Sequence, residues 1–182
     1  MATAPGPTLE TARLILRPTA AEDLDGWAEL MGDAEAAQYI GGYQNRDTAW
    51  RGMASMAGSW AMNGFGMFSL LEKTTGEWVG RIGPWRPEGW PGTEVGWSLI
   101  RRAWGKGYAV EAATTAIDWA FDHLGWDEVI HCIHPENVAS QQVAIRLGST
   151  NRGPKPLPAP YSEVPNEVWG QTRAEWRQRP SP

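Results

Sequence analysis

The pattern of apolar and polar residues changes abruptly within residues 94–112. Val95, Trp97 and Leu99 alternate with small or polar residues, which is the two-residue period of a strand. Beyond Tyr108 the apolar residues recur every three or four positions, which is the period of one helical face. The glycines between the two patterns predict a tight turn that joins a strand to a helix.

This turn contains Gly105, Lys106 and Gly107. A helix that begins here leaves its first backbone N–H groups unpaired at the positive end of the helix dipole, which favours binding of a phosphate group. The motif alone is a weak signal. It lacks the spacing of the P-loop and of the dinucleotide fingerprint, and a plain strand-to-helix connection would look the same. A lysine in such a turn is also commonly just solvated.

Similar patterns predict the remaining elements. Thr19 and Glu22 match a capping box at the start of the first helix. Predicted strands cover residues 13–17, 65–72, 78–85, 93–99, 128–133 and 164–172, and predicted helices cover residues 19–31, 47–60, 108–124 and 135–147. A short extra strand fits after Gly148. Three consecutive strands indicate an antiparallel meander, and the later β-α-β steps imply local parallel pairing. The fold class is therefore mixed α+β.

Length and composition indicate a single domain over residues 9–178, with flexible tails at 1–8 and 179–182. No apolar run approaches the roughly 18 residues of a membrane span, and the N-terminus is unlike a signal peptide. The single cysteine, Cys132, fits a reducing cytoplasm. The net charge of −5 argues against nucleic acid as a partner. Three histidines and one cysteine without ligand spacing predict no metal site.

Residues 104–109, Trp-Gly-Lys-Gly-Tyr-Ala, resemble the pyrophosphate motif of the GNAT superfamily of N-acetyltransferases, Gln/Arg-x-x-Gly-x-Gly/Ala. Trp104 stands in place of the first Gln or Arg. A frame that begins at Arg102 also fits, but the later frame places Ala109 inside the helix start, as the family expects. Tryptophan at this position resembles the motif of the branch that includes the ribosomal-protein N-terminal acetyltransferases.

Three further segments support that branch: residues 9–18 resemble its opening strand, 134–140 with 147–148 its second cofactor motif, and 169–176 its closing strand and helix. The resemblance covers nearly the entire chain. It implies a central, mostly antiparallel twisted sheet of six to seven strands, splayed at the cofactor site and flanked by about four helices. It also implies acetyl-CoA as co-substrate.

By this resemblance, the backbone of the turn binds the pyrophosphate, and the strand before the turn pairs with the pantetheine arm. The start of the predicted helix 135–147 completes the site. The implied cofactor-binding residues are Leu99, Ile100, Gly105, Lys106, Gly107, Tyr108, Ala109, Asn137 and Ser140. Asn137 can also cap its own helix. The tyrosine that protonates the departing thiolate in many relatives is replaced here by Ala144. Ser140 is then a candidate acid, although a hydroxyl bonded to the helix backbone is an equal alternative.

An amine acceptor with a pKa of about 10.4 must lose a proton before it attacks, so a general base is expected. Glu94 is the leading candidate, and its alternative is an ion pair with a nearby arginine. His134 is the second candidate base, and a spacer before Pro135 is an equal alternative. His131 and Cys132 lie mid-strand, where structural roles are expected.

The resemblance implies that the Tyr39–Tyr43 loop, the loop after Trp85 and the proline-rich segment 154–160 border the acceptor pocket. The chain also has 12 tryptophans, several of them close to the central strand, which could line such a pocket. The candidate substrate-binding residues are Tyr39, Tyr43, Trp85, Trp90 and Trp97.

Two functional hypotheses follow. The first is an N-acetyltransferase that moves acetyl from acetyl-CoA to a primary amine, on a protein N-terminus or a small molecule, by direct attack. The rival is a non-catalytic acyl-CoA-binding sensor or scaffold module, which the missing tyrosine leaves open. A longer acyl chain also remains open, as does the choice between monomer and homodimer.

Overall fold

The computed structural model describes residues 6–179 of the chain. Within them the strands are β1 (Leu9–Glu10), β2 (Leu14–Pro18), β3 (Phe68–Glu72), β4 (Trp78–Trp85), β5 (Glu94–Leu99), β6 (Glu128–Ile133), β7 (Thr150–Pro154) and β8 (Glu167–Thr172). The α-helices in the same range are α1 (Leu24–Gly32), α2 (Ala34–Ala37), α3 (Arg46–Asn63), α4 (Tyr108–His123), α5 (Val138–Arg146) and α6 (Arg173–Gln178). The outer parts of the predicted tails, 1–5 and 180–182, lie outside the described residues.

The strands form one open sheet in the order β1-β2-β3-β4-β5-β6-β8-β7. Every neighbouring pair is antiparallel except β5 and β6, which are parallel, so the predicted mixed sheet is confirmed. The predicted number of strands is too low, because the described chain has eight: β1 is too short for a periodic pattern, and β7 is the extra strand that follows Gly148. The expected four helices become six because α2 and α6 are also short.

The predicted capping box before α1 is wrong by one residue. Instead of Thr19 and Glu22, the turn is closed by Asp23, whose Oδ2 accepts the N–H of Ala20 at 2.8 Å. Asp23 is buried and forms an ion pair with Arg17, with 2.7 Å between Oδ1 and Nη2. A buried carboxylate must be paired, and this requirement fixes the local frame more strongly than the cap preference does.

Helices cover both faces of the central strands. On one face α1 packs over β4, and the guanidinium of Arg81 lies 4.7 Å from the ring of Trp27. On the other face Trp119 of α4 packs edge-on against Phe68 of β3, with 5.5 Å between ring centroids. The middle of β4 and β5 is therefore enclosed, and polar groups there must find partners within the protein.

Candidate active site

The sheet opens between β5 and β6. β4 pairs with β5 through six register pairs, whereas β5 and β6 share a single pair, Glu94 with Ile130. Beyond it, side chains replace the missing backbone partners: Glu94 Oε1 accepts the N–H of Cys132 at 3.1 Å. From the other strand, His131 Nδ1 donates to the carbonyl of Val95 at 2.7 Å. Because these backbone groups are satisfied, the strands can diverge without leaving them unpaired. The sheet is thus splayed here, as predicted.

His131 is part of a buried hydrogen-bond chain behind the opening. Its Nδ1 must donate to Val95, because a carbonyl oxygen only accepts, so Nε2 of the neutral ring accepts from the Ser149 hydroxyl at 3.0 Å. Ser149 Oγ in turn accepts from Gln171 Nε2 at 2.9 Å. Burial lowers the pKa of His131 to about 4, so the ring is neutral at pH 7. His131 therefore holds the split sheet together, in agreement with its expected structural role.

A cavity of about 1050 Å³ lies at this opening. Four of the five aromatic residues expected around the acceptor line it: Tyr39, Trp85, Trp90 and Trp97. Tyr43 does not line it, and its side chain is 66% exposed. Residues 157–161 and 163–165 of the proline-rich connection form a further wall, so this segment borders the cavity as expected.

The cavity reaches both faces of the sheet. In the register of β4 and β5, Arg81 lies opposite Ser98 and Trp85 lies opposite Glu94, so these four side chains share one face. Trp97 belongs to the other face, yet it lines the same cavity. A cavity that passes through the sheet allows two molecules to meet from opposite sides.

Glu94 is buried within this cavity, with only 6% of its surface exposed. Its carboxylate accepts hydrogen bonds from Trp90 Nε1 at 2.5 Å and from the N–H of Cys132 at 3.1 Å. Burial raises the pKa of Glu94 to about 7, although both hydrogen bonds and the charge of Arg81 oppose this rise. Glu94 forms no ion pair within residues 6–179, so the predicted alternative of a direct pair with an arginine is absent there. A carboxyl with this pKa is suited to accept a proton near neutral pH.

His134 lines the cavity and stacks on Tyr39, with 4.9 Å between ring centroids. Its Nδ1 accepts the N–H of Glu136 at 3.1 Å, so the neutral ring carries its proton on Nε2. The neutral ring therefore has no free lone pair to take a proton from an amine. Of the two candidate bases, this geometry favours Glu94.

Asn137 and Ser140 lie at the start of α5, on the wall opposite β5. Asn137 Oδ1 accepts the N–H of Ser140 at 3.1 Å, so the expected helix cap is confirmed. The hydroxyl oxygen of Ser140 accepts from Trp97 Nε1 at 3.2 Å. Since the indole supplies a hydrogen to that oxygen, the hydroxyl hydrogen of Ser140 remains free to donate elsewhere.

The glycine turn lies beyond the residues that line the cavity. Gly105 and Gly107 have φ values of 72° and 80°, in the left-handed region that other residues avoid. Gly107 caps α4 without a side-chain hydrogen bond, so the first-turn N–H groups, which include those of Tyr108 and Ala109, are left for a ligand or solvent. The side chain of Tyr108 is buried and donates its hydroxyl to Glu72. Only the backbone of Tyr108 is therefore available at the turn.

Two cations flank this turn, one of which the sequence patterns did not single out. Arg13 lies 4.6 Å from the ring of Tyr108, and its Nη2 is 3.5 Å from the point that a Cβ on Gly107 would occupy. Lys106 approaches the same ring from 5.5 Å. Arg13 also pairs with Glu111 at 2.6 Å, which fixes its position. Lys106 is paired in turn with Glu72, with 3.5 Å between Nζ and Oε1. The start of α4 is thus a turn with exposed backbone donors, flanked by two cations that are each paired with a carboxylate.

Leu99 and Ile100 end β5 just before the turn. The carbonyl of Leu99 accepts from Trp104 Nε1 at 2.8 Å, and the N–H of Ile100 donates to Val79 of β4 at 3.2 Å. Ile100 is also buried. The Ile100 amide is therefore already used within the sheet, which narrows the part of β5 that can pair with a ligand.

Metal and membrane chemistry find no support in the part of the chain that the structure describes. Across residues 6–179, no group of three or more His, Cys, Asp or Glu side chains is placed to hold a metal ion. None of the helices in that range is both long enough and apolar enough to span a bilayer.

A mostly antiparallel sheet, split next to a strand that leads through a glycine turn into a helix, is the architecture of an acetyltransferase domain. The family model of the acetyltransferase (GNAT) domain matches residues 13–150 of the chain. The chain belongs to this family of acetyltransferases.

Relatives over most of the chain agree with this assignment. An uncharacterized N-acetyltransferase of Bacillus licheniformis, p20, is 32% identical over 149 residues, which cover 80% of this chain and 84% of that protein. FsC-acetyl coenzyme A-N(2)-transacetylase of Aspergillus fumigatus is 31% identical over 197 residues, which cover 96% of this chain and 81% of that protein. The crystal structure of an acetyltransferase from Agrobacterium tumefaciens has a TM-score of 0.80 and 33% identity, over 92% of this chain and 95% of its own.

The expected resemblance to the ribosomal-protein branch is supported at the level of fold. The ribosomal-protein-S5-alanine acetyltransferase from Vibrio fischeri has a TM-score of 0.73 and 18% identity, over 96% of this chain and 100% of its own. Identity this low shows a shared fold alone, so it does not assign an acceptor.

Proposed function

We propose that the chain transfers the acetyl group of acetyl-CoA to a primary amine by direct attack. The observation that carries this proposal is the environment of Glu94, a buried carboxylate with a pKa of about 7 that lines a cavity passing through the sheet. Acetyl-CoA is the co-substrate that membership of the GNAT family implies. The acceptor class includes protein N-termini and small amines.

The glycine turn fits the pyrophosphate of acetyl-CoA. Gly105 and Gly107 place no side chain between the backbone and an anion, and the first N–H groups of α4 are available as donors. Arg13 and Lys106 lie at the same turn, each in an ion pair with a carboxylate. Unpaired N–H donors at the positive end of the helix dipole suit a phosphate ester better than a neutral ligand.

The open edge of β5 fits the pantetheine arm. Since β5 and β6 diverge after Glu94, residues 97–99 have no strand partner on that side. The Ile100 amide is engaged with β4, so the proposed backbone pairing is confined to the residues before it. Asn137 and Ser140 face this edge from α5, with Ser140 joined to Trp97.

The proposed chemistry starts at the amine. An ammonium with a pKa of about 10.4 gives its proton to Glu94, directly or through a water, and becomes a nucleophile. Bound acetyl-CoA supplies the acetyl group: the amine nitrogen forms the new C–N bond, the C–S bond breaks, and the sulfur leaves with the electron pair. The nitrogen releases its second proton to solvent as the amide forms, which balances the proton that the sulfur takes up. The thiol has a pKa of about 8.5, so a weak acid suffices to protonate it. The free hydroxyl hydrogen of Ser140, polarised by Trp97, is the proposed source of that proton.

Thiol release from acetyl-CoA in the presence of a panel of amines tests the proposal, together with the thermal shift that acetyl-CoA produces. We expect a shift with acetyl-CoA alone and thiol release with at least one amine. A shift without release on any amine would favour a non-catalytic acyl-CoA-binding module. Absence of a shift at millimolar acetyl-CoA would remove the basis of the proposed site.

A further inference from the structure

Arg81 is a buried cation in the wall of the acceptor cavity. It lies on β4, lines the cavity with Glu94 and is only 8% exposed. Burial lowers its pKa to about 10, which still leaves the guanidinium charged at neutral pH. A full positive charge is therefore held at low solvent exposure beside the place where an acceptor would bind.

Within residues 6–179 this charge lacks an anionic partner. Arg81 Nη1 contacts only the sulfur of Met67 at 3.6 Å, and its Nε is buried without a hydrogen-bond partner. The guanidinium stacks on Trp27 at 4.7 Å, which orients its plane but leaves its N–H donors unused. Buried charges are normally paired, because an isolated one carries a large desolvation cost. An unpaired guanidinium that lines a cavity is thus a site for an anion from outside the chain.

Glu94 does not fill this role permanently. Tyr161 and Glu94 both raise the pKa of Arg81 from a distance, but Glu94 forms no direct ion pair with Arg81, and its own pKa is about 7. A carboxylate that gains and loses a proton during the reaction is neutral for part of each cycle. Arg81 therefore needs another anion when Glu94 is protonated.

The sheet surface between Arg81 and Glu94 carries no side chain of its own and is covered by Met67. Both side chains are on the same face of the sheet, and the pair between them is Gly83 opposite Gly96, which contributes no side chains. A Cβ on Gly96 would lie 2.8 Å from Met67 Cε and 3.3 Å from Glu94 Oε1. Met67 also contacts Arg81, and its unbranched thioether can move to admit a ligand. Four residues along the strands, about 13 Å of backbone, separate the positions of Arg81 and Glu94 in the register.

We infer that Arg81 binds a carboxylate of the acceptor, so that the substrate is a free amino acid rather than a simple amine. The inference rests on the proposed acetyl transfer and specifies its acceptor. The carboxylate pairs with Arg81 while the amino group faces Glu94. Trp85 and Trp90 line the same cavity and favour an apolar or aromatic side chain. The exposed carboxylates of the cavity mouth, which belong to Glu88, Glu136 and Glu163, favour entry of a ligand that also carries an ammonium group.

Matched pairs of amino acids and their amides test this inference, because the two members differ only in the carboxylate. We expect wild-type protein to favour the acid over the amide at least tenfold in kcat/KM for apolar and aromatic amino acids. R81M keeps an unbranched side chain over Trp27 but removes the charge, so it should abolish this preference. Because loss of the Arg81 charge also raises the pKa of Glu94, acid and amide are compared as a ratio of kcat/KM at one pH within each protein. R86M, which removes an exposed cation directly after β4, should keep the preference.

A binding measurement separates this inference from the proposed catalysis. N-acetylated amino acids and N-acetylated amino acid amides are titrated calorimetrically into wild type and R81M without any turnover. Binding of the acid that is at least tenfold weaker in R81M, with unchanged binding of the amide, would support Arg81 as the carboxylate site even if no amine were acetylated. Equal affinity of wild type for acid and amide, or an equal loss of both in R81M, would overturn it.

Discussion

Glu94 Oε1 accepts the backbone N–H of Cys132 across the gap between β5 and β6, at 3.1 Å. The same carboxylate therefore accepts a backbone N–H of β6 where β6 no longer pairs with β5. It also lies in the cavity where an amine would be deprotonated. The split in the sheet and the candidate base depend on one side chain. The pKa of Glu94 is consequently tied to the geometry of the split.

Replacement of Glu94 by Gln should lower kcat/KM by about 100-fold to 10,000-fold, which is the usual contribution of a positioned general base. In wild type, kcat/KM should rise with pH through an apparent pKa of about 7, as Glu94 becomes ionised. Glu136→Gln is the matched control, since this exposed carboxylate also lines the cavity. A normal rate and pH profile in Glu94→Gln would transfer the base role to another group.

Trp90→Phe should move the acidic limb of the same pH profile to higher pH. The indole donates to the ionised carboxylate of Glu94 at 2.5 Å and so lowers its pKa; without that bond the pKa rises. Initial rates over a pH series would measure the shift. Trp85→Phe serves as control, because Trp85 lines the cavity without a hydrogen bond to Glu94. Movement of the limb to lower pH would contradict the assignment of the limb to Glu94.

Gly107→Asp should weaken acetyl-CoA binding at least tenfold, because it places a side chain and a negative charge at the start of α4. The substitution also strains a residue with φ of 80°. Gly64→Asp is the control: φ is 73° at this residue, so the strain is similar, but the residue lies at the end of α3 and not at the glycine turn. Calorimetric titration should show normal affinity in Gly64→Asp, and equal losses in both variants would contradict an anion site at the turn.

Ser140→Ala should lower kcat about tenfold with little change in KM for acetyl-CoA if its hydroxyl protonates the departing sulfur. The expected effect is smaller than for Glu94 because a thiolate leaves readily. Trp97→Phe removes the indole bond to Ser140 Oγ at 3.2 Å and should produce a weaker decrease. Thiol release measured at saturating substrates would show this order. A Ser140→Ala variant with unchanged kcat would leave the hydroxyl with a packing role alone.

Glu94 and His131 should have opposite effects on the pH dependence of stability. The pKa of Glu94 is raised from 4.5 to about 7, so its contribution to stability falls as pH rises through that range. The pKa of His131 is lowered from 6.5 to about 4, so its contribution falls as pH decreases through that range. Each change corresponds to roughly 3 kcal/mol, and the two nearly cancel in wild type.

Single substitutions should expose each contribution. Urea unfolding is measured at several pH values between 4.5 and 6.5, where both contributions change. Glu94→Gln should gain stability as pH rises, because the contribution of His131 remains. His131→Gln should instead lose stability as pH rises. Parallel curves for the two variants would show that neither pKa differs between the folded and unfolded states.

Sequence patterns predicted the elements of the fold and the glycine turn because both depend on local spacing. Gly107 indicates the turn by itself, because glycine adopts a positive φ more easily than other residues do. Arg81 and Arg13 could not be found in this way: each looks like an ordinary strand residue, and its environment comes from distant parts of the chain. The pKa of Glu94 was likewise unpredictable, since burial by the surrounding elements sets it. Tyr43 was predicted to line the acceptor pocket and does not, because its place in a loop does not determine which way its side chain points.

The walls of the cavity have different structural origins. Regular elements supply the side with Glu94, Trp97 and Ser140. Three connections supply most of the other side, through residues 38–42 and 44, residues 87, 88 and 90, and residues 157–161 and 163–165. Connections accept insertions and substitutions more readily than paired strands do. Acceptor preference can therefore change through substitutions in these three connections without disturbing the paired strands and helix starts that carry the proposed cofactor site.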